Sequence, residues 1–179
     1  MLKYLALTFT SVALAGISTT QGQTSSPAAA PTDPQIAMIA VVADTIDIDA
    51  GELAAEKATS KEVKAFAETM VRDHTAVNAK ATALAKKLGV TPEESATSKG
   101  LKADGDKMLA KLKGLSGAEF DKAYVDNEVS YHEAVIGVVT KTLIPNTKNA
   151  ELKNLLESAG PIFTSHLEHA NHVQTSLKK

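Results

Sequence analysis

Five histidines and a few carboxylates carry whatever chemistry this chain can do. His74, His132 and His166 stand on apolar helical stripes, as do Asp47 and Glu128. Burying an unpaired ionisable group is costly, so such residues need partners. Imidazole and carboxylate together suit Zn, Fe, Mn or Cu. Helix bundles build such sites from side chains facing inward on several helices. Glu128 and His132 are neighbours on one helix face and would serve one ion. Asp73 sits beside His74 but points about 100° away, which makes it a surface residue or a support behind the histidine. A metal-free layer of hydrogen bonds, His74 to Asp47 and His166 to Glu128, fits the same residues. The Glu-x-x-His pairs of carboxylate di-iron bundles are absent. The residues three before His74, His132 and His166 are Val71, Val129 and Phe163, which argues against a standard ferroxidase centre and leans away from an enzyme. His166, His169 and His172 form a second cluster spanning about 120° of one helix. His166 and His169 could chelate one ion there. The plainer reading is a semi-exposed face near a helix C-terminus, where histidine suits the dipole.

Rigid elements must bring these residues together. Asp33-Pro34 opens a first helix, Asp as the cap and Pro where its missing N–H costs nothing. It runs to about Lys57 with Ile36, Ile39, Ala43, Asp47, Ala50 and Ala54 on its core stripe. Thr45 to Asp49 also alternates with period two, but the surrounding 3.6 pattern makes it helix. Ser60 caps a second helix whose stripe is Val63, Phe66, Met70, His74, Val77, Ala81, Leu84 and Leu88, with Gly89 ending it. Thr91 to Gly100 is a connection, and a short helix covers Leu101 to Leu112, weakened by Gly105. Ser116 to Glu119 reads as a capping box. The helix it opens carries Phe120, Tyr124, Glu128, Tyr131, Val135, Val138 and Thr142 on one side. Val125, His132, Ile136 and Val139 lie beside them, and Pro145-Asn146 ends the run. A last helix runs from about Asn149 to Leu177, with an interruption and a kink expected at Gly160-Pro161. The fold class is therefore all-α: a four-helix bundle with a short extra helix between the second and third long helices. Measured from the two hairpin turns, the ionisable residues fall at similar heights, so one polar layer crosses the bundle.

Composition agrees with one helical domain. The chain has 179 residues, 44% apolar and only 4% aromatic, with 29 alanines; alanine has the best intrinsic helix propensity. Lysine and arginine number 19 against 21 acidic residues, formally −2, so there is no basic field to hold nucleic acid. The absence of cysteine excludes disulfides, thiolate metal sites and lipid anchoring through an N-terminal Cys. Neither a Gly-rich phosphate loop nor a nucleophile–base pair is present. Residues 1–15 read as a secretory signal peptide: Lys3, then the uncharged run Tyr4 to Leu14, then Ala13-Leu14-Ala15 as the cleavage signal. Residues 16–32, rich in Ser, Thr, Pro and Ala, read as a flexible tether. Residues 33–177 are then the bundle domain of a periplasmic or secreted protein with no transmembrane span after cleavage. Such a bundle could also work without metal, as a stress-related structural protein meeting an envelope partner or further copies of itself.

Several strings are familiar together: Glu68-Thr69-Met70-Val71-Arg72-Asp73-His74, Leu84 to Val90, Phe120-Asp121-Lys122-Ala123-Tyr124 with His132, and Pro161 followed by His166-Leu167. With them the chain resembles the bacterial exported family named domain of unknown function 4142, over Pro34 to Val173. Members are often labelled outer membrane proteins and have a ferritin-like four-helix fold. The resemblance implies that Asp73 and His74 are the family's aspartate–histidine pair and that His132 and His166 are its later histidines. It also places the acidic positions of the first helix on Asp47 and Asp49, Asp here where Glu is more usual. It implies export and fold, association with the outer membrane at most, and no particular activity. No barrel-like strand pattern is present.

Overall fold

The computed structural model describes residues 30–178. The expected signal peptide, and the expected tether up to residue 29, lie outside them. Among the described residues there is no strand. The helices are α1 (Asp33–Lys57), α2 (Lys61–Leu88), α3 (Ala96–Lys113), α4 (Gly117–Val138), α5 (Ile144–Asn146) and α6 (Ala150–Ser176), with a π-helical segment Val139–Leu143 joining α4 to α5.

The helix ends follow local chemistry. Thr32, not Asp33, is the N-cap of α1, and its backbone N–H donates to Gln35 Oε1 at 3.1 Å. Asp33 caps elsewhere: its carboxylate accepts from the backbone N–H groups of Lys148 and Asn149, both at 2.8 Å. Ser60 accepts from the Val63 N–H, and Gly89 ends α2 in the left-handed region at φ 64°, open to glycine without strain. α3 begins at Ala96 rather than Leu101, because Ser95 and Ser98 cap each other reciprocally at 3.1 and 2.9 Å. Gly105 does not weaken α3 there. A Cβ on it would lie 2.7 Å from Ile46 Cγ1, so the glycine is what lets α3 lie against α1.

Three expectations fail. The box at Ser116 does not form, and its side chain makes no cap hydrogen bond. Gly117 enters α4 at φ 59°, outside the helical region, so the first turn lacks the geometry a box requires. Val138 and Thr142 are exposed, while Val139 and Leu143 point inward. Here the Ile144 N–H reaches back to the Val139 carbonyl, a π-type bond, just before Pro145, which has no N–H to give. Finally, α6 is continuous through Pro161. Both Pro161 and Glu157, whose carbonyl the proline leaves without its helical partner, lie on the exposed side of α6.

Packing gives a bundle of four. α1 packs on α2, α2 on α6, α6 on α4, and α4 on α1. α3 lies along the outer side of α1 and carries the chain back down the bundle. The Lys57 ammonium donates to the Lys113 carbonyl at 2.7 Å, so α4 starts beside the α1–α2 turn. Helices α2 and α4 therefore run parallel, and α1 and α6 run against them. The apolar interior divides in two. One cluster centres on Phe66, Met70, Leu112, Phe120 and Tyr124. The other centres on Ile36, Ile39, Leu143, Leu156 and Phe163. Along every long helix the polar residues fall between them.

Candidate functional site

α1 supplies Asp44 and Asp47 to this layer, α2 His74, α4 Glu128 and His132, and α6 His166; all six are buried. The five residues singled out from the sequence, Asp47, His74, Glu128, His132 and His166, thus meet in one place. One ligand atom from each of His74, His132 and His166 lies within 4.8 Å of the others, and the same holds for Asp47, Glu128 and His132. The ring centroids of the three histidines are 5.0 to 5.6 Å apart. Phe163 stacks on His74 at 5.5 Å with the rings 8° from parallel, which fixes the imidazole plane.

Each ring is anchored by one nitrogen. His74 Nδ1 donates to Asp44 Oδ1 at 2.7 Å. His132 Nδ1 donates to the Glu128 carbonyl at 3.0 Å. His166 Nε2 donates to Asp73 Oδ2 at 3.1 Å, and Asp73 also accepts from Arg72 Nε at 2.7 Å. In a neutral ring these bonds set the tautomer and leave the lone pair on the other nitrogen: His74 Nε2, His132 Nε2 and His166 Nδ1. All three are buried without a hydrogen-bond partner, as are Asp47 Oδ1 and both Glu128 carboxylate oxygens. Burial, then repulsion from His74, lowers the His132 pKa to about 3. Burial also lowers His166, against the pull of Asp73. These two rings are therefore neutral at pH 7, the form that binds metals.

The carboxylates show the converse. Burial first, then the charges of Glu128 and Asp44, hold Asp47 well above the usual carboxylate range. Burial raises Glu128 to about 7 although its contact with Asp47 lowers it. Two ionised carboxylates with ligand oxygens within 4.8 Å of each other repel, and one proton on the pair relieves that repulsion. A cation would do the same by charge. Asp44 is raised by burial and lowered by its bond to His74. The residues present therefore fit a metal ion: neutral imidazoles with free lone pairs, nearby carboxylates, and a carboxylate or carbonyl behind each ring.

A family model described as domain of unknown function (DUF4142) matches residues 18–173. The chain belongs to that family. No curated protein and no solved structure matches it. In this DUF4142 chain several sequence expectations are revised. The second acidic residue of α1 at the layer is Asp44, not Asp49, which is exposed. His74 bonds Asp44 and only approaches Asp47, at 3.6 Å from Nε2. His166 bonds Asp73, not Glu128. Asp73, with 28% of its side chain exposed, stands behind His166 as a support, on the helix of His74 but serving the other ring. His169 and His172 do not join the layer. His169 packs edge-on against Phe66 at 5.0 Å, and exposed His172 lies 3.6 Å from Glu62.

Sequence pattern singles out neither Asp44, in the DUF4142 layer, nor Tyr124, which borders it. Asp44 lies seven residues from both Ala37 and Gly51, and that heptad of small residues was its signal. Tyr124, one turn before Glu128, was read as core; its hydroxyl is buried and unpaired. Burial and the charges of Glu128 and Asp47 raise its pKa.

Proposed function

We propose that this protein is an exported, ferritin-like bundle that binds a transition metal ion, Zn, Fe, Mn or Cu. His74, His132 and His166 hold the ion, with Asp47 and Glu128 completing the site. One observation carries this reading: three buried histidines on three helices each have one nitrogen anchored and the other unpaired, in mutual reach. Unpaired buried polar atoms each cost roughly 1–3 kcal/mol, and a single ion would satisfy all three rings. When bound, such an ion supplies Lewis-acid or redox chemistry. The ferritin-like assignment is supported by two antiparallel hairpins joined by one long crossover. Export is supported by Lys3, the apolar run after it and Ala13-Leu14-Ala15. Among the described residues no helix is long and apolar enough to cross a membrane.

The Asp47–Glu128 contact favours one rival, a metal-free polar layer in a protein that acts through an envelope partner. Metal analysis by mass spectrometry on untagged protein from its native compartment separates the two. The metal reading expects about one ion per chain, lost in H74Q with modest loss of stability. The rival expects an empty protein, with H74Q less stable by about 1–3 kcal/mol. An empty wild type whose melting temperature is unmoved by Zn, Fe, Mn or Cu overturns the metal reading.

A further inference from the structure

The upper half of the bundle, between the histidine layer and the start of α1, is not closed by its own side chains. A cavity of about 400 Å³ runs there, walled by α1, α2, α3, α4 and α6. An engineered cavity of roughly 150 Å³ already takes up benzene, and natural ligand pockets begin near 300 Å³. Its wall on α1 extends from Asp33 to Ile46, a length of about 20 Å. That elongated form, open along one side, suits a long slender apolar molecule lying beside α1. The lining is mostly aliphatic, with Leu84, Leu101, Val135 and Leu156 among it, and Phe163 at the end next to His74. Val138, the large apolar side chain left 40% exposed, also lines it.

Charge selects the kind of chain. Among the described residues no lysine, arginine or histidine lines the cavity, so an anionic head finds no cationic partner there. Its acids are already engaged. Asp33 accepts from the Lys148 and Asn149 N–H groups, Asp44 bonds His74, and Asp104 pairs with Lys107 at 2.9 Å. A cationic head is therefore not called for either.

We propose that this cavity binds one uncharged, unbranched or isoprenoid-like hydrocarbon chain lengthwise, with its inner end against Phe163 and the Asp44–His74 pair. The site borders the proposed metal centre at Asp44 and Phe163 but contains none of its proposed ligands, and its test reads no metal, so its failure leaves the proposed metal centre untouched. The test titrates 1-N-phenylnaphthylamine, which brightens in apolar surroundings, into the folded full chain, and then displaces it with decanol, decanoate or decylamine. Saturable binding is expected, with decanol displacing the probe at about tenfold lower concentration than either charged analogue. Ala40→Phe and, separately, Ala81→Phe place a ring in the cavity from α1 and from α2. Each is expected to weaken probe binding at least about tenfold with helical circular dichroism unchanged; if one variant fails to fold, the other decides. Absence of saturable binding, or binding unchanged in the folded variant, overturns the site. Displacement by decanoate or decylamine as readily as by decanol overturns the uncharged class.

Discussion

At Glu128 the environment turns a surface-type residue into one whose charge opposes folding. Its pKa rises from 4.5 to about 7 on burial. A carboxyl raised in the folded state contributes stability fully below pH 4.5 and loses it as pH rises through about 7. His132 behaves oppositely. Lowered from 6.5 to about 3, it contributes fully above pH 6.5 and loses that contribution as pH falls toward 3. In a chelator, E128Q should therefore melt above wild type by several degrees at pH 8, and the gain should shrink toward pH 4.5. Thermal unfolding across that range checks this, and a gain independent of pH would refute the buried-charge account. With metal present the order should reverse, because the glutamine has lost the charge a cation uses. Asp44 and Asp73 act one step back. Each orients a ring without meeting the ion, and partners of that kind are typically worth about 10–100-fold in metal affinity. D44N and D73N should each weaken binding by about tenfold in a chelator competition. Unchanged affinity in both would make these carboxylates mere fillers of space.

Helices must hold these residues still, and the turns between them do much of that. Asp121, buried near the start of α4, accepts from the Thr59 and Ser60 N–H groups at 3.0 and 2.8 Å and from the Thr59 hydroxyl at 2.6 Å. It fastens the α1–α2 turn to the other hairpin. Asp121→Ala leaves those donors unmet in a part-buried place and should cost about 2–4 kcal/mol in a denaturant titration. Asp33→Ala, at the more exposed opposite end, should cost about 1 kcal/mol. Sequence pattern revealed most of these elements and less of what joins them. The Val63-to-Leu88 stripe and the cap at Ser60 are local, so periodicity and capping chemistry disclose them. Asp44 is hidden because a single stripe through Ala43 and Asp47 passes beside it. In the fold α1 buries a wider face. A Cβ on Gly51 would lie 2.9 Å from Val71 Cγ2 and 3.1 Å from the Ala67 carbonyl, so α1 and α2 run very close there. That close approach buries the whole flank of Ala37, Asp44 and Gly51. Gly105 misled for the same reason. Its lack of a side chain costs helix propensity but permits packing on Ile46, and only the tertiary contact shows which effect prevails.

Across the whole molecule, the ionisable layer lies between a filled apolar cluster and one that retains a cavity. That division was legible only in part. The heights of Asp47, His74, Glu128, His132 and His166 followed from counting residues to the turns. The cavity depends on how five helices come together around it, which no single stripe encodes. The layer also draws on all four long helices, so an ion there ties both hairpins together and its binding energy becomes folding energy. At free metal about 100 times Kd the gain is about 2.7 kcal/mol, which for a domain of this size raises the melting temperature by about 5–10 °C. H74Q should abolish the rise. The exposed His172–Glu62 pair could also collect metal, so the location of the stabilisation matters. Binding at the inner layer should slow amide exchange around Asp47, His74, Glu128 and His166 together, on four helices at once. Binding at the outer pair should protect only the start of α2 and the end of α6, and His172→Ala would remove it. A melting rise that survives H74Q but disappears in H172A would assign the metal to the surface and leave the inner histidines as hydrogen-bonded core.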